Sequence, residues 1–181
     1  MYLILIVPEK GGMIRKLLEF QNAARTKPAS VVKYLKALLE KEANKTTPYA
    51  KALKEGIEFV EKLKPVGLLK YSALLSEACK IHSADLAKYA VVEHTGSDGS
   101  KLEDRLKKVG NAKGEVGESL LSGKDQAEEC IVSMILDGTP QKEQRKNLFN
   151  PELKLCGIST EVHHKLKTII VINYATEFTK A

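Results

Sequence analysis

His94 and Glu118, set 24 residues apart, are the two side chains whose types and surroundings could do chemistry in this sequence. His94 opens the turn-forming stretch His94-Thr95-Gly96-Ser97-Asp98-Gly99, and Glu118 follows a glycine in the strand-like run 115–121. An imidazole beside a carboxylate is a proton-transfer pair whose histidine titrates near neutrality. In a strand over 115–121, Val116, Glu118 and Leu120 share one face. A carboxylate between two apolar neighbours needs a cleft or a partner, because burying it bare costs several kcal/mol or raises its pKa. The bland alternative is an edge strand with Glu118 facing water and His94 an ordinary loop histidine.

Asp137 is a second acidic candidate. It continues the apolar stripe Cys130, Met134 of a helix and sits at that helix's C-terminal end, where the macrodipole disfavours an anion. Either another group holds it there or it is a turn residue of Asp137-Gly138. His82 lies on an apolar helical stripe and reads as a core histidine, while His163 and His164 fall at a hairpin tip beside Lys165. Cys79, Cys130 and Cys156 each sit in an apolar run, with no zinc-ligand spacing. They are expected to be buried, unpaired thiols.

Composition narrows the function classes. The 181 residues suffice for one domain with a core that needs no disulfides. Net charge is +6, but the lysines between Lys33 and Lys70 alternate with Glu40, Glu42, Glu55, Glu58 and Glu61, the pattern of a solvated helical face. Only four of the 29 basic side chains are arginine and there is no tryptophan. Nucleic acid is therefore not an expected partner. Residues 1–13 form a lead whose apolar run Tyr2–Val7 is too short to cross a bilayer and lacks the parts of a complete signal peptide.

The elements that must position these groups follow from periodicity. Helices are expected from Ile14 to about Arg25, after Pro28, from Thr47-Pro48 to about Leu63, and from Ser72 to about Tyr89. A loop covers 93–101, a short helix Leu102 to Lys108, and a helix carries Ala127, Cys130, Ile131, Met134 and Ile135. Another short helix runs toward Asn147. Strands are expected near 115–121, 153–162 and 167–176, with the non-alternating Ile169-Ile170-Val171-Ile172 buried on both faces. Helices first and antiparallel strands last make an α+β domain, taken as a single unit over 14–181.

Six short pieces occur in register: Asn22-Ala23-Ala24-Arg25, Glu93-His94-Thr95-Gly96, Asp104-Arg105-Leu106, Gly117-Glu118-Ser119, Arg145-Lys146-Asn147-Leu148 and Gly157-Ile158. In that order they resemble the SCP/CAP superfamily of cysteine-rich secretory, antigen-5-like and pathogenesis-related proteins, in its short microbial and protist branch. The resemblance implies a three-layer α-β-α sandwich with a mainly antiparallel central sheet. It also implies a central cleft with two histidines and two acids, which in some members hold a divalent metal. His94 matches the first histidine, Glu118 the acid of Gly-Glu-Asn, and Asp137 falls near the second acid. The second histidine falls on Gln144, a weak metal ligand, and Ser119 replaces the asparagine. His94, Glu118, Asp137 and Gln144 are thus expected to line one cleft, with His94 the one metal donor and zinc held weakly if at all.

The function implied is a secreted or surface-located, non-catalytic binding module, a monomer, for a lipid, sterol, peptide or partner surface. Two alternatives stay open: a hydrolase-like enzyme using His94 with Glu118, and a cytoplasmic interaction domain.

Overall fold

The computed structural model describes residues 12–180, and the apolar run Tyr2–Val7 lies outside them. Gly12 and Met13, assigned above to the lead, belong to the first helix, and Met13 packs on the core. Seven helices and four strands follow in the order α1 (Gly12–Thr26), α2 (Pro28–Lys41), α3 (Pro48–Glu61), β1 (Lys70–Tyr71), α4 (Ala73–Tyr89) and α5 (Leu102–Lys107). Then come β2 (Gly110–Ser122), α6 (Ala127–Leu136), α7 (Glu143–Phe149), β3 (Leu155–His163) and β4 (Lys167–Lys180). Local chemistry accounts for the helix starts. Pro28 and Pro48 take the first helical turn, where a missing N–H costs nothing. Thr47 Oγ1 accepts from Ala50 N at 3.0 Å and Ser72 Oγ from Leu75 N at 3.2 Å.

The strand order is β1-β3-β4-β2. β2 and β3 pair antiparallel to β4, whereas β1 pairs parallel to β3 through Lys70↔Leu155 and Tyr71↔Cys156. The expected mainly antiparallel sheet is therefore a mixed one. A two-residue strand between two helices carries no period of its own, so nothing in the sequence marked β1. β2 also starts five residues earlier than expected. Its segment Asn111–Glu115 is exposed and polar, and it pairs with the far end of β4 past an irregularity between Lys113 and Val116.

Central β4 divides the core by parity. Ile170, Ile172 and Tyr174 join the large cluster with Leu17, Leu35, Leu53, Met134 and Leu148, on the face that α1, α6 and α7 cover. Ile169, Val171 and Ala175 meet α4 through Cys79, Leu86, Leu75 and Ala78 on the other. Ile169 to Ile172 are fully buried, as a strand sandwiched between helical layers requires. Gly157 lets α4 come down on β3: a Cβ there would meet the backbone carbon of Leu75 at 2.3 Å.

Arginine is used inside. Of the four, Arg25, Arg105 and Arg145 are buried. Among the described residues Arg25 has no carboxylate partner. It donates instead to the carbonyls of Gly67, Leu148, Asn150 and Leu153 at 2.7–3.0 Å, tying the end of α1 to the chain before β1 and the turn before β3.

Candidate functional site

β2 carries Glu118 on the face covered by α4 and α5, its side chain only 3% exposed. Arg105, from α5, meets it end on: Nη2 donates to Oε1 at 3.0 Å and to Oε2 at 2.9 Å. The same guanidinium fastens the histidine loop, donating from Nη2 to the carbonyl of His94 at 3.0 Å and from Nη1 to that of Ser100 at 2.8 Å. His94 Nδ1 donates to Glu118 Oε1 at 2.9 Å, and its ring is half-exposed. The Asp85 carboxylate on α4 accepts from Ser97 N and Oγ, which pins the middle of the loop.

Beneath Glu118 lies a second histidine. His82, fully buried on α4, donates from Nε2 to the carbonyl of Glu93 at 2.9 Å, with that nitrogen 3.7 Å from Glu118 Oε1. The two imidazoles are tuned in opposite directions. The hydrogen bond to Glu118 raises the pKa of His94, against a smaller opposing effect of burial. Burial lowers that of His82, and Glu118 offsets it only in part. Reading His82 as an ordinary core histidine missed its place beside the carboxylate. Arg105 was legible as part of a motif but not as the partner of Glu118. The scarcity of arginine in a lysine-rich chain was the available signal.

Gly117 precedes Glu118 for a steric reason. A Cβ there would lie 2.5 Å from Oδ1 and 2.9 Å from Cγ of Asn147, which comes from α7 and donates from Nδ2 to the Glu118 carbonyl at 3.0 Å. His94, Glu118 and Asn147 open on a cleft of about 450 Å³ whose lining carries both signs of charge, Lys101 and Lys146 together with Glu103 and Glu143.

Asp137 and Gln144 do not line this cleft, which corrects the expectation that all four residues share it. Asp137 lies in a separate depression with Tyr34, Leu38 and Tyr49. Its carboxylate organises the entry to α7: Oδ1 accepts from Thr139 N and Oγ1 at 3.0 and 2.8 Å, and Oδ2 from Gln144 N and Arg145 N at 2.9 and 3.4 Å. Burial pushes its pKa up, but these hydrogen bonds together bring it below the ordinary value. The α6 carbonyls that an anion at this helix end would repel are covered by cations. Arg145 donates to those of Ile135 and Leu136, and Lys142 Nζ to that of Asp137 itself at 2.6 Å. From α7 the cleft receives Glu143, Lys146 and Asn147, while Gln144 turns away with its buried Oε1 unpartnered.

Among the described residues no group of three histidine, cysteine or acidic side chains is arranged to hold a metal ion. Among the described residues His94 is the histidine that lines the cleft. Cys79, Cys130 and Cys156 are buried and free, and burial pushes Cys130 and Cys156 up to about 12. No helix of the described residues is long and apolar enough to cross a membrane.

The fold has a solved counterpart. An outer surface protein of Borrelia burgdorferi superposes with a TM-score of 0.53 at 18% identity, over 73% of this chain and 94% of that one. An extracellular protein containing an SCP domain from Bacillus anthracis aligns with a TM-score of 0.47 at 15% identity, over 71% of this chain and 38% of that one. No curated protein sequence matches significantly. The family model for the cysteine-rich secretory protein family, CAP, matches residues 18–174, nearly the whole chain. This chain belongs to the CAP family.

Proposed function

We propose that this CAP domain is a non-catalytic binding module acting outside the cell or on its surface, and that the cleft above Glu118 receives a peptide segment of a partner. The observation that carries the reading is the grip on Glu118. Arg105 takes both carboxylate oxygens and His94 a further lone pair, so the carboxylate serves to orient an imidazole rather than to accept a substrate proton. Neither Cys130 nor Cys156, each pushed up to about 12, supplies a thiolate nucleophile at neutral pH. The cleft lining combines lysine and glutamate, which suits the mixed polarity of a peptide backbone with charged side chains. The extracellular placement is supported by the family, that of cysteine-rich secretory proteins, and by the surface location of the Borrelia burgdorferi protein that shares the fold.

A groove elsewhere favours a second reading, in which a lipid is bound. Phe20, Ala23, Val31, Tyr34, Ile131 and Ile135, from α1, α2 and α6, enclose about 270 Å³ of almost wholly apolar space, the chemistry of an acyl chain. Titrating isotope-labelled protein with a library of mixed-charge octapeptides, and separately with palmitate, tests both readings by which amides shift. Peptide binding that moves the amides of His94, Glu118 and Asn147, and weakens about tenfold in His94→Ala, supports the first reading. Shifts confined to Phe20, Tyr34 and Ile131 on adding palmitate would replace it with the second. Esterase or peptidase turnover lost in His94→Ala would overturn both.

A further inference from the structure

The turn between α2 and α3 carries chemistry that the cleft does not use. It reads Glu42-Ala43-Asn44-Lys45-Thr46-Thr47-Pro48, an Asn-x-Thr acceptor sequence with lysine in the middle. Proline appears only at Pro48, past the positions where it would stiffen the tripeptide. Glu42 stands two residues before the asparagine. No other asparagine in the chain is followed at the second position by serine or threonine.

The local geometry is that of an asparagine prepared for reaction at nitrogen. Asn44 Oδ1 accepts two hydrogen bonds, from Thr46 N at 2.9 Å and from Thr46 Oγ1 at 2.6 Å. Both draw electron density into the carbonyl oxygen, which polarises the amide and eases loss of a proton from Nδ2. The second bond needs a hydroxyl at position 46, and the first needs the tight turn. Asn44, Lys45 and Thr46 are all exposed. The turn is held from both sides. Lys45 Nζ donates to the carbonyls of Leu39 and Glu40 at the end of α2, and Thr47 caps the start of α3. The acceptor is thus displayed on a fixed corner between two helices, and none of its residues lines the His94 cleft.

We infer that Asn44 is an N-glycan acceptor, modified by transfer from a lipid-linked diphosphate oligosaccharide. In the step, Asn44 Nδ2 forms a bond to the anomeric carbon of the first sugar and loses a proton to the transferase. The bond from that carbon to the diphosphate oxygen breaks, and the lipid diphosphate leaves with the electron pair. The opportunity for this reaction rests on the extracellular placement proposed above, while the acceptor chemistry does not.

The test separates the two. Purified full-length chain is incubated with a single-subunit oligosaccharyltransferase that accepts an acid two residues before asparagine, together with lipid-linked oligosaccharide. Intact mass and the peptide carrying Asn44 are then measured. A gain of one glycan on Asn44, abolished in Asn44→Gln and Thr46→Val and retained at a reduced rate in Thr46→Ser, establishes the acceptor. Unchanged wild-type mass, or a gain that persists in Asn44→Gln, overturns it. Fractionation of the native cell reads the placement independently. A competent acceptor found only inside the cell supports the site chemistry and overturns the extracellular reading.

Discussion

Glu118 and Asp137 are both buried carboxylates, each at the joint of two elements, yet they are satisfied in opposite ways. Asp137 is held chiefly by main-chain N–H groups of the segment that follows it, so its partners are fixed by the backbone and none of them titrates. Glu118 is held by side chains from distant elements, and one of these, His94, is half-exposed and has its pKa raised by the hydrogen bond to Glu118. A carboxylate consumed by amides builds a turn. One shared between a guanidinium and an open imidazole passes its charge to the surface of a cleft.

Arg105→Leu should have the most severe consequence. It strands a buried carboxylate, and about 3–5 kcal/mol of stability should be lost in urea unfolding. The double variant Arg105→Leu/Glu118→Leu should recover much of this, because no unpaired charge remains. A double variant no more stable than the single would show that the pair is not the source of the loss.

Asp137→Ala comes next, at about 1–2 kcal/mol, the cost of an N-terminal cap and its turn. It should leave the NMR titration of His94 where it was. A shifted His94 would mean that the two carboxylates are coupled and the contrast is wrong.

The third effect is on pH dependence. Because its folded pKa is raised, the His94–Glu118 pair contributes stability that is complete below about pH 6.5 and is lost as pH rises through the folded value. His82, with a lowered folded pKa, contributes stability present above about pH 6.5 and lost as pH falls through its folded value. Together they place a shallow stability maximum near that pH. Glu118→Gln should remove the alkaline limb and return the His94 titration toward its ordinary range. A profile that keeps both limbs in Glu118→Gln would exclude the pair as its origin.

The smallest effect is expected from Gln144→His, because residue 144 is off the cleft wall. Zinc affinity by calorimetry should change by less than about twofold, whereas Glu143→His, on the wall with His94, should raise it. The reverse order would put residue 144 back in the site.

The sequence disclosed what periodicity and local motif can carry. Every helix was expected near its observed place, as was the burial of Ile169 to Ile172, and His94 and Glu118 stood out individually. Sequence reading failed where the partner comes from far away. The ionic lock of Arg105 on Glu118 depends on how α5 docks against β2. The position of His82 beneath it depends on the depth to which Gly157 lets α4 settle. Asp137 misled because helical phase says only that a residue continues a stripe, not that the chain turns back to meet its carboxylate. β1 escaped because two residues have no period.

The three buried guanidinium anchors bear on how this protein can be handled. Its basic surface is almost entirely lysine, and the ties at Arg25, Arg105 and Arg145 involve a group that amine-directed reagents leave untouched. Acylating the exposed lysines would invert the outward charge while the internal clamps stayed closed. The domain could therefore be labelled, cross-linked to a support or made strongly acidic through its amines, with the guanidinium that orients His94 left in place.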